Sequence, residues 1–271
     1  MPLEDHAGDI LAKARKAAGM PVERAAALAG SGPAELEAFE KSGVGDPAAW
    51  LQLASSLCLD PAKFARVAQG WAPAGIELSS WRELRQVTTT QKYAVHCYLV
   101  WDEATREAAL FDTGWDAAPA LEIIGREGLT LLHLFLTHTH QDHIAGLRAI
   151  RERHPGARLH SSSKSAPVAQ RNKPQDFIQV GNLRVSNRET PGHSEDSVIY
   201  LVGNFPDDQP GVAIVGDAIF AGSVGTGFQS PELGLQSVRQ QILPLPGETL
   251  LCPGHGPVTT VALERGNNPF F

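Results

Sequence analysis

The sequence predicts a mixed α/β fold of the α+β kind, preceded by a small all-helical domain. Three observations carry that reading. The first seventy residues are rich in Ala, with apolar residues at helical spacing. β-Branched and aromatic runs begin only after residue 71. From about residue 76 the pattern runs strand, strand, and then strand and helix in alternation. The division that follows is a helical domain over 1–70, a linker over 71–80 and a larger domain over 81–271, in a chain of 271 residues that is long enough to bury a core in each.

Five short helices fill the first part. Asp9 to Ala18 places Ile10, Leu11 and Ala14 on one face and stops at Gly19. Val22 to Ala29 follows Pro21 and ends at Gly30. Ser31 is expected to cap a third helix with Pro33 and Glu35 in its first turn and Leu36 and Phe39 on its apolar side. Asp46-Pro47 opens a fourth with Trp50, Leu53 and Leu57, and Asp60-Pro61 a fifth with Phe64 and Val67. Trp71 to Gly75 reads as a linker because Pro and Gly break both periodicities, and Trp71 and Trp81 at its ends argue that it is docked.

The larger domain is expected to begin with a strand over 91–100 and its hairpin partner over 107–111, closed by Asp112-Thr113-Gly114. A helix over 116–125, a buried strand over 131–136 and a helix over 144–153 follow. Further strands are expected at 159–162, at 177–180 with 183–187 as a hairpin around Gly181-Asn182, and at 197–202, 212–215 and 249–251.

Composition limits the partners. A net charge of −7 argues against nucleic acid or an anionic membrane surface. Met1 to His6 is acidic and lacks the form of a signal peptide, and no apolar run approaches the roughly 18 residues of a spanning helix. A cytoplasmic protein is expected. Cys58, Cys97 and Cys252 are far apart and odd in number, so they imply no disulfide framework; each reads as a small buried hydrophobe.

The chemistry concentrates in Thr137-His138-Thr139-His140-Gln141-Asp142-His143, on a short strand-to-helix loop. His138 and His140 are two apart, so in extended chain they point to one side and can grip one ion together. Asp142 and His143 are placed for a second. Imidazoles with a carboxylate suit zinc, and also iron or manganese. Structural zinc sites draw on Cys, which this loop lacks, so a functional site is the better reading. Three later segments end strands beside Gly or Pro in the same way: Pro191-Gly192-His193-Ser194, Gly216-Asp217 and Pro253-Gly254-His255-Gly256-Pro257. Loops at one edge of a sheet sandwich build a site of this kind.

This combination resembles the metallo-β-lactamase superfamily, and within it the glyoxalase II-like hydrolases. The motif over 137–143 matches the HxHxDH signature, the segments at 191–194, 216–225 and 253–257 match the later motifs in order, and Glu264-Arg265-Gly266-Asn267-Asn268-Pro269-Phe270 resembles the tail of short glyoxalase II-like proteins. The resemblance covers about 80–271. It implies an αββα sandwich with a two-metal site at one edge, zinc being the expected ion. By position it assigns His138, His140 and His193 to a first ion, Asp142, His143 and His255 to a second, and Asp217 to a bridge. Two ions about 3.5–4 Å apart can share a hydroxide and polarise a carbonyl; Asp142, acceptor-only when ionised, can orient that hydroxide as well as bind. Asp112 either supports the ring of a ligand His from behind or satisfies its own turn. His133 reads as a packed core histidine, His96 as structural, and His6, His154 and His160 as surface residues.

The implied substrate is a small-molecule thioester or ester, acyl-glutathione thioesters in the glyoxalase II-like relatives. Two departures qualify it: relatives often follow the Gly-Ser-Val-Gly run with Arg and Asp where this chain has Gly225-Thr226-Gly227-Phe228, and the C-terminal helical extension with basic residues of full-length glyoxalase II is not in this sequence. Lys164, Arg171 and Lys173 read as a solvated surface rather than an anion site. A mono-iron persulfide dioxygenase-type oxygenase and a metabolite-sensing regulator are the alternatives; a nuclease fits the acidic charge poorly. The order of short helices over 7–70 resembles the helix-turn-helix domain of Cro/C1-type regulators. Its would-be reading helix carries Glu35, Glu37 and Glu40 against Lys41, and residues 1–70 hold seven Lys and Arg against nine Asp and Glu. That balance repels phosphate. Packing, homodimerisation or substrate gating is expected of this domain instead of DNA binding.

Overall fold

The computed structural model describes residues 1–173, 176–206, 209–227 and 229–271. Phe228, the last residue of the Gly225-Thr226-Gly227-Phe228 segment, lies outside the described residues. The chain begins with helices α1 (Ala7–Ala17), α2 (Val22–Ala29), α3 (Pro33–Ser42), α4 (Leu51–Ser56) and α5 (Pro61–Ala68), with a 3₁₀ turn over Pro47–Trp50 leading into α4. Two of them start where the sequence did not place them. α1 opens at Ala7 because His6 and Asp9 form a reciprocal cap, each side chain accepting the other's backbone N–H at 3.1 Å. α3 is capped by Gly32, not Ser31: the Ser31 N–H closes the end of α2 on the Ala26 carbonyl, beyond the left-handed Gly30.

The helices close over Ile10, Leu11, Leu36, Phe39, Trp50, Leu53 and Phe64, and Val224 and Phe270 from the rest of the chain complete the same core. The seam is also hydrogen-bonded. The Asp60 N–H reaches the Pro269 carbonyl at 2.8 Å, and Lys63 donates to the Phe271 carbonyl at 2.8 Å. Trp71 packs on this helical core, whereas Trp81 is buried in the next one and donates from its ring N–H to the Pro210 carbonyl.

Two sheets follow. The first holds β1 (Leu84–Thr90), β2 (Ala94–Trp101), β3 (Glu107–Phe111), β4 (Thr130–Phe135) and β5 (Arg158–His160) in that order, antiparallel through β3 and parallel from there. The second holds β6 (Phe177–Val180), β7 (Leu183–Glu189), β8 (Val198–Gly203), β9 (Val212–Gly216), β10 (Leu250–Pro253) and β11 (Thr259–Thr260) in reverse order, with β9 and β10 parallel. Their inner faces meet through Tyr98, Phe111, Phe135, Tyr200, Val202 and Ile214, the Phe111 and Phe135 rings stacking at 4.9 Å. α6 (Ala118–Arg126), α7 (Gln141–Ile144) and α8 (Leu147–Arg153) cover the outer face of the first sheet. Val238 and Ile242, in the turn that continues α9 (Pro231–Ser237), and Val261 of α10 (Val261–Asn267) cover the second. The layers are therefore αββα.

Sequence periodicity missed the two-residue β11 and the whole of β1, where Arg85, Gln86 and the three threonines 88–90 give an edge strand without an apolar stripe. The helix expected over 144–153 is in fact α7 and α8, broken at Gly146. A Cβ there would lie 2.8 Å from the Thr113 carbonyl oxygen and 3.0 Å from the Ala117 nitrogen, so the chain bends where it presses on the 113–117 segment. Cys97 and Cys252 are buried as expected, but Cys58 is exposed in the left-handed turn after α4, at φ 60°.

Topology puts the chemistry at one edge. The C-terminal ends of β3, β4, β9 and β10 and the β7–β8 loop lie side by side there, and they carry Asp112, residues 137–143, Asp217, His255 and His193 respectively.

Candidate metal centre

The structure brings all seven sequence-derived ligands to that edge and sets Asp112 behind them. His138, His140 and His193 form one trio; Asp142, His143 and His255 form another; His138, His143 and Asp217 form a third that joins the two, with the ligand atoms of each trio within 4.8 Å of one another. In the first trio, His140 Nδ1 lies 3.1 Å from His138 Nε2 and 2.9 Å from His193 Nε2. In the second, Asp142 Oδ2 is 3.3 Å from His255 Nε2 and 3.5 Å from His143 Nε2. Asp217 stands between: Oδ1 is 3.3 Å from His143 Nε2, and Oδ2 is 3.5 Å from both His193 Nε2 and His255 Nε2.

His138, His143, His193 and His255 are each fixed from the far side of the ring. His193 Nδ1 meets the Thr226 carbonyl at 2.8 Å and His255 Nδ1 the Ala94 carbonyl at 2.7 Å, so both are donors there and turn Nε2 inward. His143 Nδ1 lies 2.8 Å from Asp112 Oδ2. The same carboxylate accepts the Thr137 N–H at 2.8 Å and its hydroxyl at 2.7 Å, and that hydroxyl is 3.0 Å from His138 Nδ1. Asp112 thus does both things the sequence allowed, orienting a site histidine and tying the turn. It holds φ at 59°, a left-handed strain for a non-glycine residue that this network sustains.

The electrostatics favour positive charge among these groups. Burial by itself would raise Asp217, yet His143 and His255 hold it well below the usual carboxylate range. Burial opposes a charge on either histidine, but Asp217 and Asp112 push His143 up to about 10, and Asp142 with Asp217 push His255 up to about 11. His138 and His193 go the other way: burial and their imidazole neighbours lower both. Two carboxylates and five imidazoles in one buried cluster call for positive charge, which protons supply when no cation does. The donor set also fits by shape. His143 Nε2 and Asp217 Oδ1 are buried and make no hydrogen bond. A Cβ on Gly254 would lie 2.3 Å from Asp217 Oδ1 and 2.6 Å from His143 Cε1, so only glycine leaves room between them.

Several supporting residues carried no sequence signal on their own. Asp196 joins two ligand loops, accepting from Thr139 Oγ1 at 2.7 Å and Ser194 Oγ at 2.5 Å. Tyr93 packs edge-on to His255 at 5.5 Å and lies close enough to Asp142 for its hydroxyl to be held protonated by burial and that charge. The 264–270 tail has a mechanical role. Glu264 accepts the Gly222 N–H at 2.9 Å and Asn268 donates to the Ser223 carbonyl at 2.8 Å, pinning the loop that follows Asp217.

The remaining histidines stand apart from the cluster. His96 is buried and structural, spanning Thr88 Oγ1 and the Gly256 carbonyl at 2.9 Å each. His160 is buried rather than on the surface, and His133 is half-buried rather than core; their rings meet at 3.0 Å because β4 and β5 are parallel neighbours. They line a separate cavity of about 340 Å³ together with Arg171 and Lys173. Lys164 pairs with Glu195. Above the cluster opens a cavity of about 540 Å³ whose floor is Asp142, Asp217, His140, His193 and His255 and whose wall includes α1.

The chain belongs to the metallo-beta-lactamase superfamily, whose model matches residues 91–255. Its similarity reaches both hydrolases and an oxygenase. It is 32% identical over 191 residues to the probable metallo-hydrolase YqgX of Bacillus subtilis, covering 61% of this chain and 87% of that one. It is 33% identical over 181 residues to the human mitochondrial persulfide dioxygenase ETHE1, covering 64% and 69%. It is 29% identical over 210 residues to the hydroxyacylglutathione hydrolase GloC of Haemophilus influenzae, covering 70% and 97%. Among solved structures, ETHE1 from Myxococcus xanthus superposes with a TM-score of 0.61 at 34% identity, covering 69% of this chain and 83% of that one. No helix among the described residues is long and apolar enough to cross a membrane.

Proposed function

We propose that this protein is a metal-dependent hydrolase of thioester or ester bonds working with two divalent cations, zinc by preference. One observation carries the reading: a complete second trio, Asp142, His143 and His255, stands beside the first, with Asp217 within 3.5 Å of histidines in both. In this reading His138, His140 and His193 hold one ion, Asp142, His143 and His255 hold the other, and Asp217 bridges. Bound there, a cation pair supplies Lewis acidity that lowers the pKa of a water and polarises a carbonyl.

The chain's own groups supply the rest. Asp142, kept ionised by His255 and His143 against its burial, aligns the attacking water and accepts its proton. Tyr93 stays protonated beside it and can donate to the oxygen that gains charge as the carbonyl is attacked. Asp112 keeps the His143 ring from turning. The apolar part of the cavity, Phe220, Val224, Leu235 and Phe270, limits water around the acyl group.

A second reading, a mono-iron oxygenase, draws on the 33% identity to human persulfide dioxygenase. Protein loaded separately with zinc and with iron, assayed for S-lactoylglutathione hydrolysis and for persulfide-dependent oxygen uptake, separates the two. Hydrolysis with two equivalents of zinc supports the proposal; oxygen uptake with one equivalent of iron and no hydrolysis replaces it.

A further inference from the structure

The family match begins at residue 91, yet one wall of the cavity comes from the first seventeen residues. Glu4, Asp5, Asp9, Ala12, Lys13 and Lys16 all face the space above Asp142 and Asp217. This wall is fixed in place. Lys13 donates to Asp5 and, at 2.8 Å, to the Val224 carbonyl on the loop after Asp217, and its ammonium lies 5.3 Å from the Phe220 ring centroid. Val224 and Phe270 belong to the same apolar core as Ile10 and Leu11.

Most charges on the wall are committed. Lys13 pairs with the buried Asp5, and Asp9 closes the cap of α1 on His6. Arg15, next along the helix, is taken by Glu40 at 2.6 and 2.7 Å. Two charges are left. Glu4 sits beside Gly256, where a Cβ on that glycine would lie 3.0 Å from the Glu4 nitrogen, at the His255 end of the cavity. Lys16 is exposed, lines the cavity, and pairs with no carboxylate among the described residues. It stands about 14 Å further along the helix from Ala7, at 1.5 Å per residue. Ala12, Val224, Leu235 and Phe270 supply apolar surface in the same cavity.

We infer that α1 is the substrate-selecting wall of this active site, and that Lys16 binds a carboxylate at the end of the substrate remote from the scissile bond. The inference rests on the hydrolase reading for the reaction at the other end. An anion is drawn to Lys16 and repelled from the Glu4 end, so the wall sets the direction in which the substrate lies as well as its charge. Such a role accounts for a basic last turn on α1 in a helical unit whose overall charge is negative.

The test uses a pair of non-hydrolysable thioethers on the zinc-loaded full chain: S-hexyl-3-mercaptopropionate and its neutral amide, titrated by calorimetry. The wild type is expected to bind the acid about tenfold more tightly, the worth of one charge-assisted hydrogen bond. Lys16→Met should abolish that preference and Lys16→Glu should invert it. Arg24→Met, which removes an exposed cation from α2 outside the cavity, should keep it. Equal affinity for acid and amide in the wild type, or a preference that survives Lys16→Met, overturns the inference. Turnover of the matching acyl thioesters is read separately: no hydrolysis of either one counts against the hydrolase reading and leaves the binding result to judge Lys16.

Discussion

Asp112 Oδ2 lies 2.8 Å from His143 Nδ1, and through the Thr137 hydroxyl the same carboxylate steadies His138. One aspartate at the end of β3 thereby sets a ring in each of the two principal trios. Asp112→Asn keeps the size but weakens both bonds. It is expected to cost about 10- to 100-fold in metal affinity, read by competition with a chromophoric chelator. Unchanged affinity would reduce Asp112 to a turn residue.

At Gly254 the backbone passes close to the Asp217 and His143 side chains. Gly254→Ala would put a methyl 2.3 Å from Asp217 Oδ1 and 2.6 Å from His143 Cε1. The expected outcome is a folded protein, by far-UV circular dichroism, that no longer retains its second ion through gel filtration. Full retention would mean that Asp217 and His143 have more freedom than their burial implies.

Metal uptake should release protons. With no ion bound, His143 and His255 are held at about 10 and about 11, so both carry a proton at neutral pH, and a cation needs the lone pairs those protons occupy. Apparent affinity should therefore rise with pH across the neutral range. Calorimetry in buffers of different ionisation enthalpy should show about two protons released per chain on loading at pH 7. Buffer-independent heats would contradict the protonated cluster.

The loops that meet in the cluster were legible because their signal is local. His138, His140, Asp142 and His143 occupy one strand-to-helix loop, and His193, Asp217 and His255 each close or precede a strand beside Gly or Pro. What the sequence hid depends on distant parts of the chain meeting. Nothing near Lys16 in sequence announces that α1 will stand over a site built some 120 residues later. The threonine-rich β1 shows no apolar stripe because it is an edge strand. His160 read as surface because only the parallel pairing of β5 with β4 buries it against His133. Exposed Cys58 went the same way, since its left-handed turn could not be seen in the residue type.

Glu264 gives a stability signature outside the cluster. Burial pushes its carboxyl up to about 7, although Thr259, Asn268 and the Gly222 N–H all donate to it. Below the ordinary value of 4.5 both folded and unfolded chains hold the proton; between 4.5 and 7 only the folded chain does. The stability this contributes is fully present below 4.5 and is lost as pH rises through 7, by a few kcal/mol at this degree of burial. Thermal unfolding of the wild type should fall relative to Glu264→Gln from pH 5 to pH 8. Parallel profiles for the two proteins would contradict the raised carboxyl.

Seven side chains are expected to seat two cations. Anomalous difference maps from crystals of zinc-loaded protein test this directly. Two peaks are expected, one among His138, His140 and His193 and one among Asp142, His143 and His255, with Asp217 between them. A single peak, or density away from these residues, would contradict it.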